Sequence, residues 1–171
     1  MLASEVPMSH AVAGEPPAAA HRAVSLIVAP YSAAEWDLLS SLPNWTVVVS
    51  FTQAPERGVA AGLAGLDAVA AGRSFDSDLV RAVVATIYAR HDGSASAPRG
   101  SLADAAELLA VARAAARLLE RRADPADSAA YRQWVQSVAA RVCRAGPSPG
   151  RPVARSDRRF LDRLGDALGL G

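Results

Sequence analysis

Asn44–Gln53 reads NWTVVVSFTQ, and the fold class turns on whether this stretch is a strand or a helix. Val47, Val48, Val49 and Phe51 favour a strand locally, because β-branched and aromatic side chains pack well on a pleated surface. A strand needs a partner, and the only candidate is Ala23–Ala29, AVSLIVA, which ends at Pro30. Periodicity does not decide that short apolar run. If both are strands, 23–29 and 45–51 make a small β ribbon beside a helical body; if the alanine-rich context prevails, both are helices. The chain holds 39 alanines among 171 residues and only nine aromatics. Alanine is the best helix former and is depleted in strands. The expected fold is therefore all-α, a single compact bundle of five to six helices.

Immediately upstream, Ser32 and Glu35 have the spacing of a capping box, in which hydroxyl and carboxylate each satisfy a free backbone N–H. The spacing predicts a short helix to about Ser41, with Trp36 and Leu39 on one side and Pro43 just beyond its end. Downstream, Pro55 suits a first helical turn, and Glu56–Ala71 is expected to be a helix stopped by Gly72. Gly58 and Gly62, and likewise Ala61 and Gly65, stand four apart, so one face carries almost no side chain and invites a close helix crossing. A phosphate-cradling role for these glycines lacks the preceding strand, the lysine and the spacing.

Ser77 is expected to cap Asp78–Arg90, where Leu79, Val80, Val83, Val84 and Ile87 form an apolar stripe. Gly93–Gly100 reads as a loop. Ser101 with Asp104 resembles a second capping box, opening a helix from Leu102 to about Arg122. Its small face comprises Ala105, Leu108, Leu109, Ala112, Ala115, Ala116 and Leu119. Asp124–Pro125 starts the next helix, to about Arg144, with Tyr131, Trp134, Val135, Val138 and Val142 on one side. That aromatic face is the expected complement of the small face before it, in an antiparallel hairpin. Three prolines and two glycines make 145–155 an irregular loop. Ser156 is expected to cap a last helix that docks through Phe160, Leu161, Leu164 and Leu168. The domain division is thus a disordered Ala/Pro-rich tail at 1–21 and one helical domain at 22–171.

All 18 basic residues are arginine, against 17 acidic ones, so lysine chemistry is excluded. A single cysteine, Cys143, forms no internal disulfide or multi-cysteine zinc site, and points to a reducing, cytoplasmic setting. The start of the chain lacks the charge and apolar core of a secretory signal. The longest uncharged run, Leu38–Pro55, contains Pro43, Asn44 and Gln53 and makes a poor membrane span.

Candidate chemistry is sparse. His91, the one histidine outside the tail, precedes Asp92 and follows Tyr88 by three, so these residues could supply a general base with a polar neighbour; a helix-end histidine equally serves the dipole. Asp67 falls in an otherwise apolar helix and must face solvent, pair with an arginine or line a polar pocket. Cys143 lies between Arg141 and Arg144, which favour a thiolate, yet no ordered histidine is near in sequence. No metal-ligand pattern and no serine-nucleophile motif occurs, and no cofactor is expected.

Charge is more informative. Residues 1–100 carry six arginines against nine acids, and residues 101–171 carry twelve against eight, a split of −3 and +4. Arg113, Arg117 and Arg121 make a like-charged ridge, and Arg151, Arg155, Arg158, Arg159 and Arg163 a basic C-terminal segment suited to an acidic partner. Nucleic acid would call for a larger positive excess.

From Ser32 onward the order of features resembles a group of small bacterial all-helical proteins: an Ala-Glu-Trp opening, a Leu-Pro stop, an alanine-rich hairpin, and a last helix running from Arg-Ser-Asp to Ala-Leu-Gly-Leu. Ser156–Leu170 is also similar to the last helix of tellurite-resistance TerB-like domains. That resemblance implies an all-helical domain. The acidic metal-binding cluster of those domains has no counterpart here that aligns residue by residue.

The functional expectation is a non-enzymatic helical interaction or accessory module whose basic C-terminal segment binds an acidic protein, with homo-oligomerisation open through the glycine face. The alternative is a small helical enzyme or ligand binder. Its pocket would lie between the Gly-rich helix and the aromatic hairpin, lined by Tyr131 and Trp134.

Overall fold

A computed structural model describes residues 31–93, 104–145 and 153–171, with side chains throughout except at Pro55 and 91–93. Among the described residues there are six α-helices and no strand: α1 Ala33–Thr52, α2 Gly58–Ala71, α3 Asp78–Gly93, α4 Ala105–Arg122, α5 Pro125–Arg144 and α6 Arg155–Leu168. Single 3-10 turns at Pro55–Arg57 and Gly72–Ser74 flank α2. Residues 45–51 are therefore helical and the ribbon is overturned, while its other half, 23–29, lies outside the described residues, as do 1–21 and 146–152.

The main correction concerns Pro43, which does not stop a helix. It sits inside α1, which runs unbroken from the Ser32 cap to Thr52. The capping box forms as read: Glu35 N donates to Ser32 Oγ at 3.3 Å, and Ser32 N to Glu35 Oε2 at 2.8 Å. A proline in a helix interior removes one i→i−4 bond, here to the carbonyl of Leu39. That carbonyl accepts instead from the buried Tyr131 hydroxyl of α5 at 2.7 Å. Past the proline, Thr46 Oγ1 donates to the Leu42 carbonyl at 2.8 Å, so this buried hydroxyl is satisfied too. Side chains thus carry the helix through a residue that local rules treat as a terminator.

α5 is the central rod. Tyr131, Trp134, Val135, Val138 and Val142 are all wholly buried. Its aromatic face meets α1 and α2 rather than α4, so the anticipated hairpin complementarity is corrected: the small face of α4 packs chiefly on α1 and α6. The reason is shape. Trp134 needs a neighbour without side chains, and α2 supplies one. Its indole Nε1 donates to the Ala68 carbonyl at 3.2 Å, and a Cβ on Gly72 would stand 2.7 Å from the ring. A Cβ on Gly65 would meet Val47 and Val142 at 2.7 and 2.8 Å. The close crossing therefore exists but uses Ala61, Gly65, Ala68 and Gly72. Gly58 and Gly62, expected on that seam, have no neighbour among the described residues within 4 Å of where a Cβ would stand.

The remaining caps hold in part. Ser77 Oγ accepts from Val80 N at 3.2 Å, and Asp124 accepts from Ala126 N at 2.8 Å, as read. Asp104 caps α4, accepting from Ala106 N at 2.9 Å, and the helix is described from Ala105; Ser101 and Leu102, expected to open it, lie outside the described residues. α6 begins at Arg155 after Ala154 without a side-chain cap, which corrects Ser156. It ends at Gly169, whose φ of 70° is the left-handed closure glycine permits. No helix among the described residues is long and apolar enough to cross a membrane.

Candidate interaction surfaces

Between the aromatic face of α5 and α2, the indole of Trp134 and the phenol of Tyr131 fill the space, edge to face at 5.9 Å between ring centres. Each spends its polar atom on a backbone carbonyl, at Ala68 and Leu39 respectively. Burial pushes the Tyr131 hydroxyl far above the ordinary tyrosine range, so it acts here as a fixed donor. The two residues nominated as a pocket lining are core.

Of the nominated polar residues, the two with described side chains, Asp67 on α2 and Tyr88 on α3, both stand at the surface. Asp67 is exposed, the first of its three readings. Tyr88 is partly exposed, with the Arg73 guanidinium 4.0 Å above its ring centre. His91 and Asp92 belong to the last turn of α3, and their side chains lie outside the described set. Among the described residues no group of three or more His, Cys, Asp or Glu side chains is placed to hold a metal ion.

A buried polar cluster escaped the sequence reading. Arg57, in the turn before α2, reaches inward, donating from Nη1 to the Ser50 carbonyl at 2.9 Å and from Nη2 to Asp157 of α6. Both side chains of that ion pair are 7% exposed. The Ser50 hydroxyl is buried and has no hydrogen-bond partner among the described residues. Burial, and then the Asp157 carboxylate, push the Cys143 thiol up to about 11, against the opposing pull of Arg57 and Arg144. At neutral pH it is a protonated thiol and a poor nucleophile. This cluster works as a clasp that ties α6 to the α1–α2 turn.

The surface offers two distinctive features. On α6, Arg155, Arg158, Arg159 and Arg163 are all exposed, and none forms an ion pair among the described residues. Arg151 lies outside the described residues. Arg113, Arg117 and Arg121 are exposed on α4 as their spacing implied. The second feature is an apolar groove of about 400 Å³ between the end of α1 and the outer side of α2, bounded by Val47, Val48, Phe51, Val59, Gly62, Leu63 and Leu66. A concavity of similar size near Arg132 and Gly169 is mixed in character, with Glu120 and Ser128 on its wall. Arg132 there donates to Ser128 Oγ at 2.8 Å and faces Glu120 at 3.5 Å.

The groove was missed, yet α2 carried its signal. GVAAGLAGLDAVAA holds one charged residue in 14, too few for a helix with one face in water.

No family model, curated protein or solved structure matches this chain.

Proposed function

We propose that the chain is a non-catalytic helical interaction module that presents the arginine face of α6 to an acidic protein surface. The observation that carries this reading is the fate of Asp157. It is the acid in the first turn of α6, and it is turned inward to Arg57. Its charge is thereby withdrawn from the surface, leaving four exposed arginines against the exposed Asp162 and Asp166. Arginine suits such contacts because its planar fork meets carboxylates with two parallel hydrogen bonds. The closed core supports a surface role, since Tyr131 and Trp134 fill the space between α5 and α2 and spend their polar atoms on backbone carbonyls. A cytoplasmic setting accords with one buried free thiol. The likeness of the last helix to TerB-like domains adds a helical scaffold to this reading and no ligand set.

The test compares the wild-type chain with a variant carrying R155Q, R158Q, R159Q and R163Q as baits in native lysate, with bound proteins identified by mass spectrometry. The expected result is an acidic partner held by the wild type and lost by the variant, at unchanged helix content. Identical recoveries from both, or nucleic acid as the only retained species, would overturn the proposal.

A further inference from the structure

The concavity between the end of α4, the start of α5 and the end of α6 holds a guanidinium whose hydrogen bonds are only partly met. It measures about 390 Å³, at the small end of ligand sites. The Arg132 side chain on its wall is 13% exposed. Nη2 takes both partners, donating to Ser128 Oγ at 2.8 Å and facing Glu120 at 3.5 Å, too long for an ordinary arginine–carboxylate hydrogen bond. Nε is buried with no partner among the described residues, and Nη1 donates to none of them. The Ser128 hydroxyl accepts from Arg132 and likewise donates to no described residue. A Cβ on Gly169 would stand 3.3 Å from Nη1, so glycine at that position keeps the nitrogen uncovered. Around these two donors the wall is apolar, made by Leu119, Ala123, Pro125, Ala129 and Leu170.

We propose that this concavity binds a small aliphatic monocarboxylate. Its carboxylate accepts from Arg132 Nη1 and from the Ser128 hydroxyl, and its chain lies against Leu119, Ala123, Ala129 and Leu170. Polar groups withdrawn from water are normally hydrogen-bonded, and a guanidinium short of acceptors is costly to hold there. A carboxylate supplies the missing acceptor through charge-assisted bonds. Water would satisfy the same donors and gain nothing from the apolar wall. A phosphate dianion would bring a second negative charge beside Glu120, and an amine would meet Arg132 as like charge. Glu120 is no obstacle to a single carboxylate, because its side chain is 59% exposed and free to turn into solvent as the ligand enters.

The test is a titration of the full chain followed by amide chemical shifts, with hexanoate, hexan-1-ol, acetate and inorganic phosphate as probes. Hexanoate should bind at least about tenfold more tightly than hexan-1-ol, which lacks the charge, and than acetate, which lacks the chain. The shifts should centre on Ser128, Ala129, Gly169 and Leu170. Arg132→Gln should weaken hexanoate by at least about tenfold. Ala129→Trp keeps the guanidinium and fills the concavity from an exposed helical position, so it should abolish binding at unchanged helix content even if Arg132→Gln fails to fold. Equal affinities for hexanoate and hexan-1-ol, phosphate held more tightly than hexanoate, undiminished binding in either variant, or no shifts at about 10 mM hexanoate would each overturn the proposal. None of the four arginines on the face of α6 takes part, so this result is read separately from the partner experiment.

Discussion

Replacing Tyr131 by phenylalanine removes one oxygen and keeps the ring, so the edge-to-face packing on Trp134 survives. What is lost is the 2.7 Å donation to the Leu39 carbonyl. Because Pro43 has no N–H, that carbonyl then has no donor at the i+4 position and sits where water does not reach, Leu39 being wholly buried. Leaving one buried acceptor unsatisfied costs about 1–3 kcal/mol. A 2 kcal/mol loss in a chain of this size lowers Tm by about 4–8 °C. Urea unfolding followed by tryptophan fluorescence and by circular dichroism reads the cost directly. The decisive arm is a double-mutant cycle with Pro43→Ala, which restores a backbone donor to Leu39. In that background Tyr131→Phe should be milder, with a coupling of about 1 kcal/mol. If the two substitutions add to within about 0.3 kcal/mol, the hydroxyl is not compensating for the proline and the reasoning fails.

Other consequences follow from the same geometry. Gly72→Ala and Gly65→Ala should each destabilise by about 1–3 kcal/mol, since a methyl group meets Trp134 and Val84 or Val47 and Val142; Gly62→Ala, with open space around it, should be neutral or stabilising by up to about 1 kcal/mol in thermal melts. Asp157→Asn should cost about 3–5 kcal/mol in urea unfolding by stranding the buried Arg57 guanidinium, and the pair replaced together by apolar residues should cost less. Cys143 should resist alkylation at pH 7.5 in the folded chain and react once urea unfolds it. Its thiol pKa is raised by folding from 9.0 to about 11, so the unfolded chain releases that proton first, and stability should decline as pH rises from 9 to 11. Glu35 has the opposite sign: hydrogen bonds from the Ser32 backbone and side chain, helped by Arg122, hold its carboxyl below the usual range. Its contribution is present above the ordinary glutamate pKa and fades as pH falls through the lowered one, an acid-limb difference that Glu35→Gln should abolish.

Features legible in the sequence are those fixed within one or two helical turns. The Ser32–Glu35 box, the Ser77 and Asp124 caps, and the buried stripes of α3, α4 and α5 depend on neighbours three and four residues away, and the structure places them as read. Pro43 was misleading because its compensation comes from Tyr131, 92 residues along the chain. The glycines of α2 announced a close crossing, but only the positions of Val47, Val142 and Trp134 decide which of them is obligatory. Asp157 looks from its neighbours like an exposed charge in a basic segment; its burial is dictated by Arg57, at a separation of 100 residues. The basic face of α6 was visible as composition, whereas its exposure depended on which side Phe160, Leu164 and Leu168 buried. The apolar groove required knowing that α2 packs inward through Ala61, Gly65 and Ala68, which leaves Val59, Leu63 and Leu66 outside.

The account rests on α1 being one continuous helix that carries Pro43 through the core. Backbone carbon chemical shifts measured across Ala33–Thr52 in the full chain test this most directly. Helical values running without interruption through Leu42, Asn44 and Val47–Val49 are predicted, with slowly exchanging amides after the proline. Extended-chain values over residues 45–51 would contradict it.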